Sequence, residues 1–425
     1  MTHYGLVCPA STGHLNTMLP LGKALQQRGH QVTFFGLLDA KEKTQAAGLG
    51  FSPLGESELP CGSMAEALAQ LGTLSGKDAL NYTIALISQS AKIMLKEAPD
   101  AMTSAGVEAL LVDQASPAGG TLANFLKIPF VTICSAVVLN QDNSVPPSFS
   151  AWNYSPTPWG RLRNKIGYTL FNRTVKPLTT VINEQRQHWN LPAHPNPNYR
   201  HSQLAQISQQ PAALEFPREN LPPYFHFTGP FHSTAGRELP DFPYDKLTTQ
   251  PLIYASLGTI QNRLIDVFYK IADACTGLEA QLVISLGGSA TPDALPNLPG
   301  SPLVVAYAPQ LDLLKKATLT ITHGGMNTTL ECLNNGVPMV VIPIANDQPG
   351  IAARVSWSGC GEAIPIKKVT AAKLRTAIQA VLTQKEYKQN ALRLQTAIQQ
   401  AGGTKRAVDI IEQAVSTQQP VAAQV

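Results

Sequence analysis

Short apolar runs alternate with stretches of helical period along most of the chain. In the first half, the pattern predicts a strand at 5–9, a turn at 11–14 and a helix at 16–28. Gly29 then stands where a helix C-terminal glycine is expected. Apolar runs that end in glycine-rich turns before a helical stretch are typical of βαβ units, so the pattern predicts parallel sheets.

The same pattern starts again at residue 251, so we predict an α/β protein with two doubly wound domains. Helices are predicted from residue 264, at 327–334 and across 371–416. The further apolar runs that predict buried strands lie at 31–36, 109–113 and 129–134 in the first half and at 251–259, 280–286, 303–306, 318–322 and 339–344 in the second.

A change of composition separates the two halves. The stretch from 229 to 250 is rich in Pro, Gly, Ser and Thr and has weak periodicity, which is typical of an exposed linker. We therefore predict an N-terminal domain at 1–228, a linker at 229–250, a C-terminal domain at 251–416 and a flexible tail at 417–425.

Composition and charge exclude several classes of protein. The chain has 425 residues, a net charge of +4 and only 14% charged residues, without the basic excess of a dedicated nucleic-acid binder. Six scattered cysteines show no C-x-x-C spacing, which argues against a zinc site or a disulfide framework. No signal-peptide pattern and no apolar run of about 18 residues is found. We expect a cytoplasmic protein with no nucleic-acid partner.

One segment, 143–183, differs from its surroundings. It contains no Asp or Glu, and five cations are interleaved with six aromatic residues. Such a segment can rest on an anionic membrane face, which would give a peripheral membrane contact. Alternatively, it is a proline-rich excursion and a helix that cover an apolar acceptor cleft. The members that define the segment are Arg161, Arg163, Lys165, Arg173 and Lys176, and Phe149, Trp152, Tyr154, Trp159, Tyr168 and Phe171.

The strongest chemical signal is the glycine-rich stretch 323–331, between a predicted strand and a predicted helix. Its glycines let the backbone approach an anion, and the N-terminal end of the helix favours a diphosphate. Asn327 and Thr328 add side-chain donors, and His323 can bond a phosphate oxygen. Glu331 shares a helix face with Asn327 and lies within reach of ribose hydroxyls. The alternative is a glycine-rich turn without function.

Polar and aromatic residues flank this turn. Tyr307 and Gln310 precede it, with Tyr307 placed 16 residues before His323, and Asp347 and Gln348 follow it. Tyr307 can stack on a planar base, and an Asp-Gln pair offers acceptors and donors to sugar hydroxyls. Taken singly, Tyr307 is equally consistent with a core residue, and Asp347 with a helix N-cap.

The stretch from 307 to 348 resembles the sugar-nucleotide signature of family 1 glycosyltransferases, which use UDP-activated sugars. The segments 13–16 and 28–32 are similar to that family as well, and the resemblance covers nearly the whole chain. It is strongest toward the bacterial members that glucosylate carotenoids. The resemblance implies a GT-B fold, in which two Rossmann-like domains face each other across a cleft. The acceptor then binds in the N-terminal half and the UDP-sugar in the C-terminal half.

The resemblance also implies a role for each donor-site residue. By the resemblance, Tyr307 and Gln310 bind uracil, and Glu331 binds ribose. Asp347 and Gln348 bind the hexose. The diphosphate is bound by Gly258, Thr259, His323, Gly325, Asn327 and Thr328. Plant members usually carry Trp in place of Tyr307 and Met326. These differences make the base and sugar preference of this chain less certain, but they are compatible with donor binding. Glucose-using members carry Gln where Gln348 stands, which favours glucose.

Two residues are candidates for catalysis. His14 follows the first predicted strand and Asp113 ends another, and open α/β sheets place ligands at these carboxyl ends. Sugar transfer needs a base that takes the acceptor proton, and a neutral imidazole can do this near pH 7. The pair resembles the His–Asp dyad of the family. In the alternative interpretation, His14 bonds backbone groups at a helix start and Asp113 caps the next helix.

No Asp-x-Asp sequence occurs in the chain. Transferases that hold the diphosphate through a divalent metal use such paired carboxylates. We therefore expect no metal and no cofactor, with UDP-glucose as co-substrate and an inverting displacement that yields a β-glucoside. The expected acceptor is a hydrophobic, hydroxylated small molecule. A carotenoid is the first choice, and flavonoids, sterols and macrolides remain open.

Two interpretations from other classes remain. A sugar-nucleotide epimerase on the same fold would need no acceptor cleft, and the pairing of His14 with Asp113 argues against it. A non-catalytic carrier of an apolar ligand would have lost its donor site, whereas Glu331, Asp347 and Gln348 are all present. The sequence does not predict an oligomeric state.

Overall fold

The computed structural model describes residues 1–74, 76–231, 240–259, 264–288 and 290–423. Within these ranges the chain forms two sheets with helices packed against them, and all strand pairs in both sheets are parallel. The prediction of an α/β protein with two Rossmann-like domains is confirmed.

The first sheet belongs to the N-terminal domain and has seven strands in the order β3-β2-β1-β4-β5-β6-β7. These strands are β1 (His3–Val7), β2 (Gln31–Gly36), β3 (Gly50–Pro53), β4 (Ala109–Asp113), β5 (Phe130–Cys134), β6 (Gln206–Ser208) and β7 (Phe225–Phe227). The prediction matches the bounds of β2 and β4. Both β1 and β4 are buried along their whole length, as is typical of strands in a parallel sheet.

The second sheet has six strands in the order β10-β9-β8-β11-β12-β13. In terms of its own strands this is 3-2-1-4-5-6, the order of a dinucleotide-binding Rossmann sheet. Its strands are β8 (Leu252–Ser256), β9 (Gln281–Ser285), β10 (Leu303–Val305), β11 (Ala317–Thr322), β12 (Met339–Val341) and β13 (Gly361–Ala363).

Helices connect the strands, and among the described residues none is long and apolar enough to cross a bilayer. The helices of the N-terminal half are α1 (Thr12–Gln27), α2 (Lys41–Ala46), α3 (Ser63–Leu71), α4 (Gly76–Ala105), α5 (Gly119–Leu126), α6 (Pro158–Thr174) and α7 (Lys176–His188). Those of the C-terminal half are α8 (Ile265–Cys275), α9 (Gln310–Leu314), α10 (Met326–Asn334), α11 (Gln348–Trp357), α12 (Ala371–Thr383), α13 (Lys385–Gln400) and α14 (Gly403–Thr417).

The first helix begins earlier than the sequence predicts. The stretch 11–14 is predicted as a turn, but α1 already starts at Thr12, directly after Ser11 in extended conformation. The predicted end is close to the observed one, because Gly29 adopts φ +90° just after the helix. The early start puts His14 inside the first helical turn.

The last helix, α14, packs on the first sheet rather than on the second. Its buried face joins the core formed by β1, β2 and α1, whereas we assigned residues up to 416 to the C-terminal domain. The chain crosses back where the amide of Gly403 donates to the carbonyl of Thr228 at 2.6 Å. An amphipathic pattern predicts that a helix face is buried but does not specify which domain buries it.

The described part of the predicted flexible tail is docked as well. Val421 is 6% exposed, and its amide donates to the carbonyl of Leu204 at 2.9 Å. The amide of Ala423 donates to the carbonyl of Pro223 at 2.7 Å. The predicted linker at 229–250 includes residues 232–239, which lie outside the described ranges.

A buried ion pair joins the two domains. Arg354 of α11 donates to Glu215 of the N-terminal domain through Nη2 at 2.6 Å and through Nε at 3.0 Å. The guanidinium also lies over the ring of Phe216, 4.5 Å from its centre. Burial alone would raise the pKa of Glu215, but the charges of Arg354 and Arg218 outweigh burial and lower it. The pair is a direct contact between α11 and the first domain, and loss of either partner would leave an unpaired buried charge.

Candidate active site

The two sheets reverse their strand order at points that face the same cavity. In the first sheet the reversal lies between β1 and β4, and in the second it lies between β8 and β11. Ligands of open α/β sheets bind just beyond the carboxyl ends of the strands at such points. His14 and Asp113 belong to the first of these points, and Gly258 and His323 belong to the second.

His14 and Asp113 form a direct hydrogen bond. Nδ1 of His14 lies 2.8 Å from Oδ2 of the fully buried Asp113, and 2.9 Å from Oγ of Ser135. The other oxygen of Asp113 accepts from the amide of Ala115 at 2.8 Å, which fixes the carboxylate. With Nδ1 held by a carboxylate, Nε2 is the ring nitrogen that can accept a proton.

The surroundings of His14 make it a stronger base. Burial lowers the pKa of an imidazole, but the charge and hydrogen bond of Asp113, together with the charge of Asp347, outweigh burial here. The pKa of His14 is therefore raised above its usual value. The side chain is 24% exposed, so the ring is accessible from the cavity.

His323 lies opposite, enclosed by two glycines. A Cβ at position 258 would come within 2.6 Å of the His323 ring, and one at position 325 would come within 2.5 Å. Gly258 also has φ +79°, a conformation that favours glycine. Burial lowers the pKa of His323 to about 4, although a hydrogen bond with the Ser256 backbone opposes the shift. His323 is therefore neutral near pH 7 and can donate a hydrogen bond without carrying charge.

The residues predicted for the base and ribose lie together. Gln310 Nε2 donates to Oε2 of Glu331 at 2.6 Å, and Tyr254 Oη donates to Oε1 of Gln310 at 3.2 Å. Glu331 is 2% exposed, and Tyr307 is 41% exposed at the edge of the cavity. The structure thus brings Tyr307, Gln310 and Glu331 to one end of the site, and their roles toward uracil and ribose stay predictions.

Asn327 connects the two domains. Its Nδ2 donates to the carbonyl of Gly13 at 2.8 Å, and its Oδ1 accepts from Nε2 of Gln209 at 2.8 Å. We predicted this side chain as a diphosphate ligand, and that role stays a prediction. The observed contacts show that Asn327 also links the start of α10 to the residue next to His14.

Asp347 and Gln348 open helix α11. Asp347 occupies the N-cap position, yet its carboxylate makes no capping hydrogen bond. Oδ2 of Asp347 instead accepts from the amide of Val137 across the cleft at 3.4 Å. Loss of hydration raises the pKa of Asp347, although that hydrogen bond opposes the rise. Gln348 is fixed by its Oε1, which accepts from the amides of Ile344 and Ala345.

All predicted site residues except Asp113 line one cavity of about 740 Å³, with Thr259 and Thr328 on its C-terminal wall. Asp113 lies behind His14, buried in the first domain. Among the described residues, no group of three His, Cys, Asp or Glu side chains is placed to hold a metal ion.

The N-terminal wall of the cavity is apolar. Side chains from α3, α4 and α6 and from the ends of β2 and β3 contribute to it, and Phe149 and Phe171 stack there with ring centres 4.5 Å apart. The aliphatic members include Leu37, Leu54, Met64, Leu68, Leu71, Leu80, Leu86, Ile87, Ile93, Met94 and Leu139. A polar site and an apolar chamber therefore share one cavity, which His14 also lines.

Sequence reasoning missed three supporting residues. Ser135 directly follows β5, so the rule that found His14 and Asp113 applies to it as well. Tyr254 lies inside β8, and the sequence pattern does not distinguish it from the apolar residues of that strand. Gln209 follows β6, a three-residue strand too short for a periodic signal.

The fold is that of GT-B glycosyltransferases, and the cavity brings a histidine paired with an aspartate on one domain together with a glycine-rich helix start on the other. The chain belongs to the family described as "UDP-glucoronosyl and UDP-glucosyl transferase", whose model matches residues 72–408. It is an enzyme that transfers a sugar, and the expected resemblance is confirmed.

Individual relatives agree with this assignment. The chain is 32% identical to a zeaxanthin glucosyltransferase of Pantoea ananas over 423 residues, which cover 99% of this chain and 98% of the relative. The solved structure of the glycosyltransferase of kitacinnamycin matches 97% of this chain and 99% of its own, with a TM-score of 0.76 and 23% identity. The glycosyltransferase VinC, solved with dTDP, matches 98% of this chain and 100% of its own, with a TM-score of 0.71 and 20% identity.

Proposed function

We propose that the enzyme transfers glucose from UDP-glucose to a hydroxyl of an apolar acceptor, with inversion and without a metal ion. The observation that carries the proposal is the 2.8 Å hydrogen bond between His14 Nδ1 and the buried Asp113 carboxylate. His14 lines a cavity that has an apolar N-terminal wall and that also contains the predicted donor-site residues. A base in such a cavity can act on the hydroxyl of an acceptor bound beside a sugar donor.

In the proposed reaction, the acceptor hydroxyl gives its proton to Nε2 of His14 while its oxygen forms a bond to the anomeric carbon. The bond between that carbon and the β-phosphate oxygen breaks, and its electron pair leaves with UDP. Attack from the face opposite UDP converts the α-linked donor into a β-glucoside. Asp113 stabilises the imidazolium that forms, as its effect on the pKa of His14 indicates.

The departing diphosphate needs stabilisation that the chain itself can provide. The first N–H groups of α10 have no partner within the helix, and the N-terminal end of a helix favours an anion. Neutral His323 adds a donor beside the same turn. These groups support a diphosphate site that needs no divalent metal. VinC binds dTDP on the same fold, which supports a nucleoside diphosphate as leaving group.

The apolar chamber supports a long hydrophobic acceptor, with a carotenoid as first choice. Its walls are formed by Leu, Ile, Met and Phe side chains, and the Pantoea ananas relative is named for zeaxanthin. Burial of such an acceptor contributes roughly 25 cal/mol per Å² of apolar surface. A flavonoid, sterol or macrolide would use the same chemistry. A sugar-nucleotide epimerase binds no acceptor and would not need the apolar chamber.

The test is incubation of the purified enzyme with UDP-glucose, excess EDTA and a panel of zeaxanthin, a flavonol and a sterol. We expect added hexose by mass spectrometry, most on zeaxanthin, and an anomeric proton coupling typical of a β-glucoside by NMR. Loss of product in EDTA would refute metal independence. An α-linked product would refute inversion. Intact UDP-glucose with every acceptor would favour another sugar nucleotide or a non-catalytic carrier, and a donor screen would follow.

A further inference from the structure

Helix α6 has an exposed apolar stripe on the face that points away from the cavity. Trp159 is 79% exposed, Leu162 46%, Ile166 52% and Leu170 54%. Spacings of three and four residues put all four side chains on one face of the helix. The opposite face is anchored in the protein through buried Asn164, Gly167 and Tyr168. The stripe is therefore a continuous apolar surface about three turns long on an ordered helix.

Cations border this stripe. Lys165 lies beside it, Arg173 continues it one turn after Leu170, and both are exposed. Lys176 is exposed at the start of α7. The whole segment 143–183 contains no Asp or Glu. An apolar face with a cationic border and no acidic residue in its own segment complements an anionic, partly apolar surface.

The other cations of α6 are already engaged within the protein. Arg161 pairs with Glu219 at 2.6 Å, and the guanidinium of Arg163 lies over the ring of Trp152, 5.0 Å from its centre. These contacts fix the helix to neighbouring loops. Lys165, Arg173 and Lys176 are therefore the exposed cations of this segment that can contact an external partner.

The same helix also forms part of the cavity wall. Phe171 of α6 stacks on Phe149, and both rings line the apolar chamber. The two sequence-based interpretations of segment 143–183 are therefore compatible, because one face of α6 covers the chamber while the other faces solvent.

We propose that α6 docks on the surface of an anionic lipid bilayer through Trp159, Leu162, Ile166 and Leu170, with Lys165, Arg173 and Lys176 at the headgroups. A second copy of the chain is the alternative occupant of the stripe. Face-to-face packing of two stripes would bring like charges together, which disfavours it. Docking would hold the apolar chamber next to the bilayer, where apolar acceptors dissolve. The proposal does not depend on which acceptor is used.

The experiment measures sedimentation of the full-length protein with vesicles of phosphatidylcholine alone and with vesicles that also contain phosphatidylglycerol. We expect the wild type to sediment with the anionic vesicles only, and salt to weaken binding. Replacing both Leu162→Ser and Ile166→Ser should lower the partition coefficient roughly tenfold or more, because these side chains would enter the bilayer interface. The matched control is Ile265→Ser with Leu392→Ser, at 45% and 42% exposure in the C-terminal half.

Charge is tested in the same way. Lys165→Glu with Arg173→Glu should lower partitioning by at least roughly fivefold per cation removed. The control pair is Lys367→Glu with Lys368→Glu, which are exposed in the second domain. Trp159 emission should shift to the blue on binding, and Trp159→Phe should remove the shift while sedimentation persists. Activity on a water-soluble acceptor without vesicles should be equal in all these variants, which shows that they are folded.

Three results would overturn the proposal. The wild type fails to sediment with anionic vesicles, the control pairs lose as much binding as the stripe and charge variants, or Trp159 emission is unchanged by binding. A wild type that is dimeric without lipid, and monomeric after Leu162→Ser with Ile166→Ser, would assign the stripe to a second copy instead.

Discussion

Two histidines face the same cavity from opposite domains and have opposite electrostatics. His14 follows β1 and His323 follows β11, and each stands where its sheet reverses strand order. The pKa of His14 is raised, whereas the pKa of His323 is lowered to about 4. Burial lowers the pKa of both rings, so burial does not explain the difference.

The difference comes mainly from the carboxylate of Asp113, with a smaller contribution from the charge of Asp347. Asp113 ends β4, next to β1, and its Oδ2 contacts His14 Nδ1 at 2.8 Å. His323 is enclosed by Gly258 and Gly325, and its polar surroundings include the Ser256 backbone. Equivalent edges of two Rossmann sheets thus carry a histidine with a raised pKa on one side and a histidine with a lowered pKa on the other.

The first prediction removes the base. His14→Ala should reduce kcat by roughly 10²-fold to 10⁴-fold, the usual contribution of a general base. UDP binding should be almost unchanged, because the ring belongs to the N-terminal domain, whereas the proposed UDP site lies in the C-terminal domain. Steady-state kinetics and calorimetry with UDP separate the two effects. An unchanged kcat would contradict the assignment of His14 as base, and a lost UDP affinity would point to misfolding or a donor role.

The second prediction weakens the base without removing it. Asp113→Asn should lower kcat by about 10²-fold, because an amide orients and stabilises the imidazolium less well. A base works only when deprotonated, so the rate rises as pH passes the pKa of His14. Since that pKa is raised, the acidic limb of the wild-type pH–rate profile should lie above the ordinary pKa of a histidine. In Asp113→Asn the limb should move to lower pH. A limb at the same pH in both proteins would contradict the role of Asp113.

Several of these features could be predicted from the sequence. The bounds of β2 and β4 follow from apolar runs long enough to be buried on both faces. That His14 and Asp113 come together follows from topology, because carboxyl ends of neighbouring parallel strands meet at one edge. The site residues that line the cavity were recognised through a resemblance, since contacts between distant segments such as Gln310 and Glu331 have no local signal.

Other features depend on tertiary contacts that no local sequence pattern indicates. The start of α1 was predicted too late because Ser11 caps the helix without a side-chain hydrogen bond and Gly13 is typical of a turn. The packing of α14 on the first sheet depends on a chain crossing at Gly403, which periodicity cannot specify. The docking of Val421 is similar, since a short polar tail shows no buried pattern until its partner strands are known.

The third prediction concerns the neutral histidine. His323→Ala should raise the donor KM about 10-fold to 100-fold through loss of a hydrogen bond to a charged diphosphate. The acidic limb should stay where it is in the wild type, because a pKa of about 4 keeps His323 neutral from pH 5 to 8. Calorimetry with UDP-glucose and a pH profile of kcat/KM test both points. A shifted limb would show that His323 contributes to the proton transfer after all.

The last prediction disturbs the enclosure of His323 and should have the smallest effect. Gly258→Ala introduces a Cβ that would lie 2.6 Å from the His323 ring, at a position with φ +79°. Gly277 has φ +74° and nothing within 4 Å of its added Cβ, so Gly277→Ala is the matched control for backbone strain alone. Both variants should lose about 1–2 kcal/mol of stability in thermal unfolding. Only Gly258→Ala should also raise the donor KM, by several-fold, because the ring must move. An equal donor KM in the two variants would mean that the position of the His323 ring does not affect donor binding.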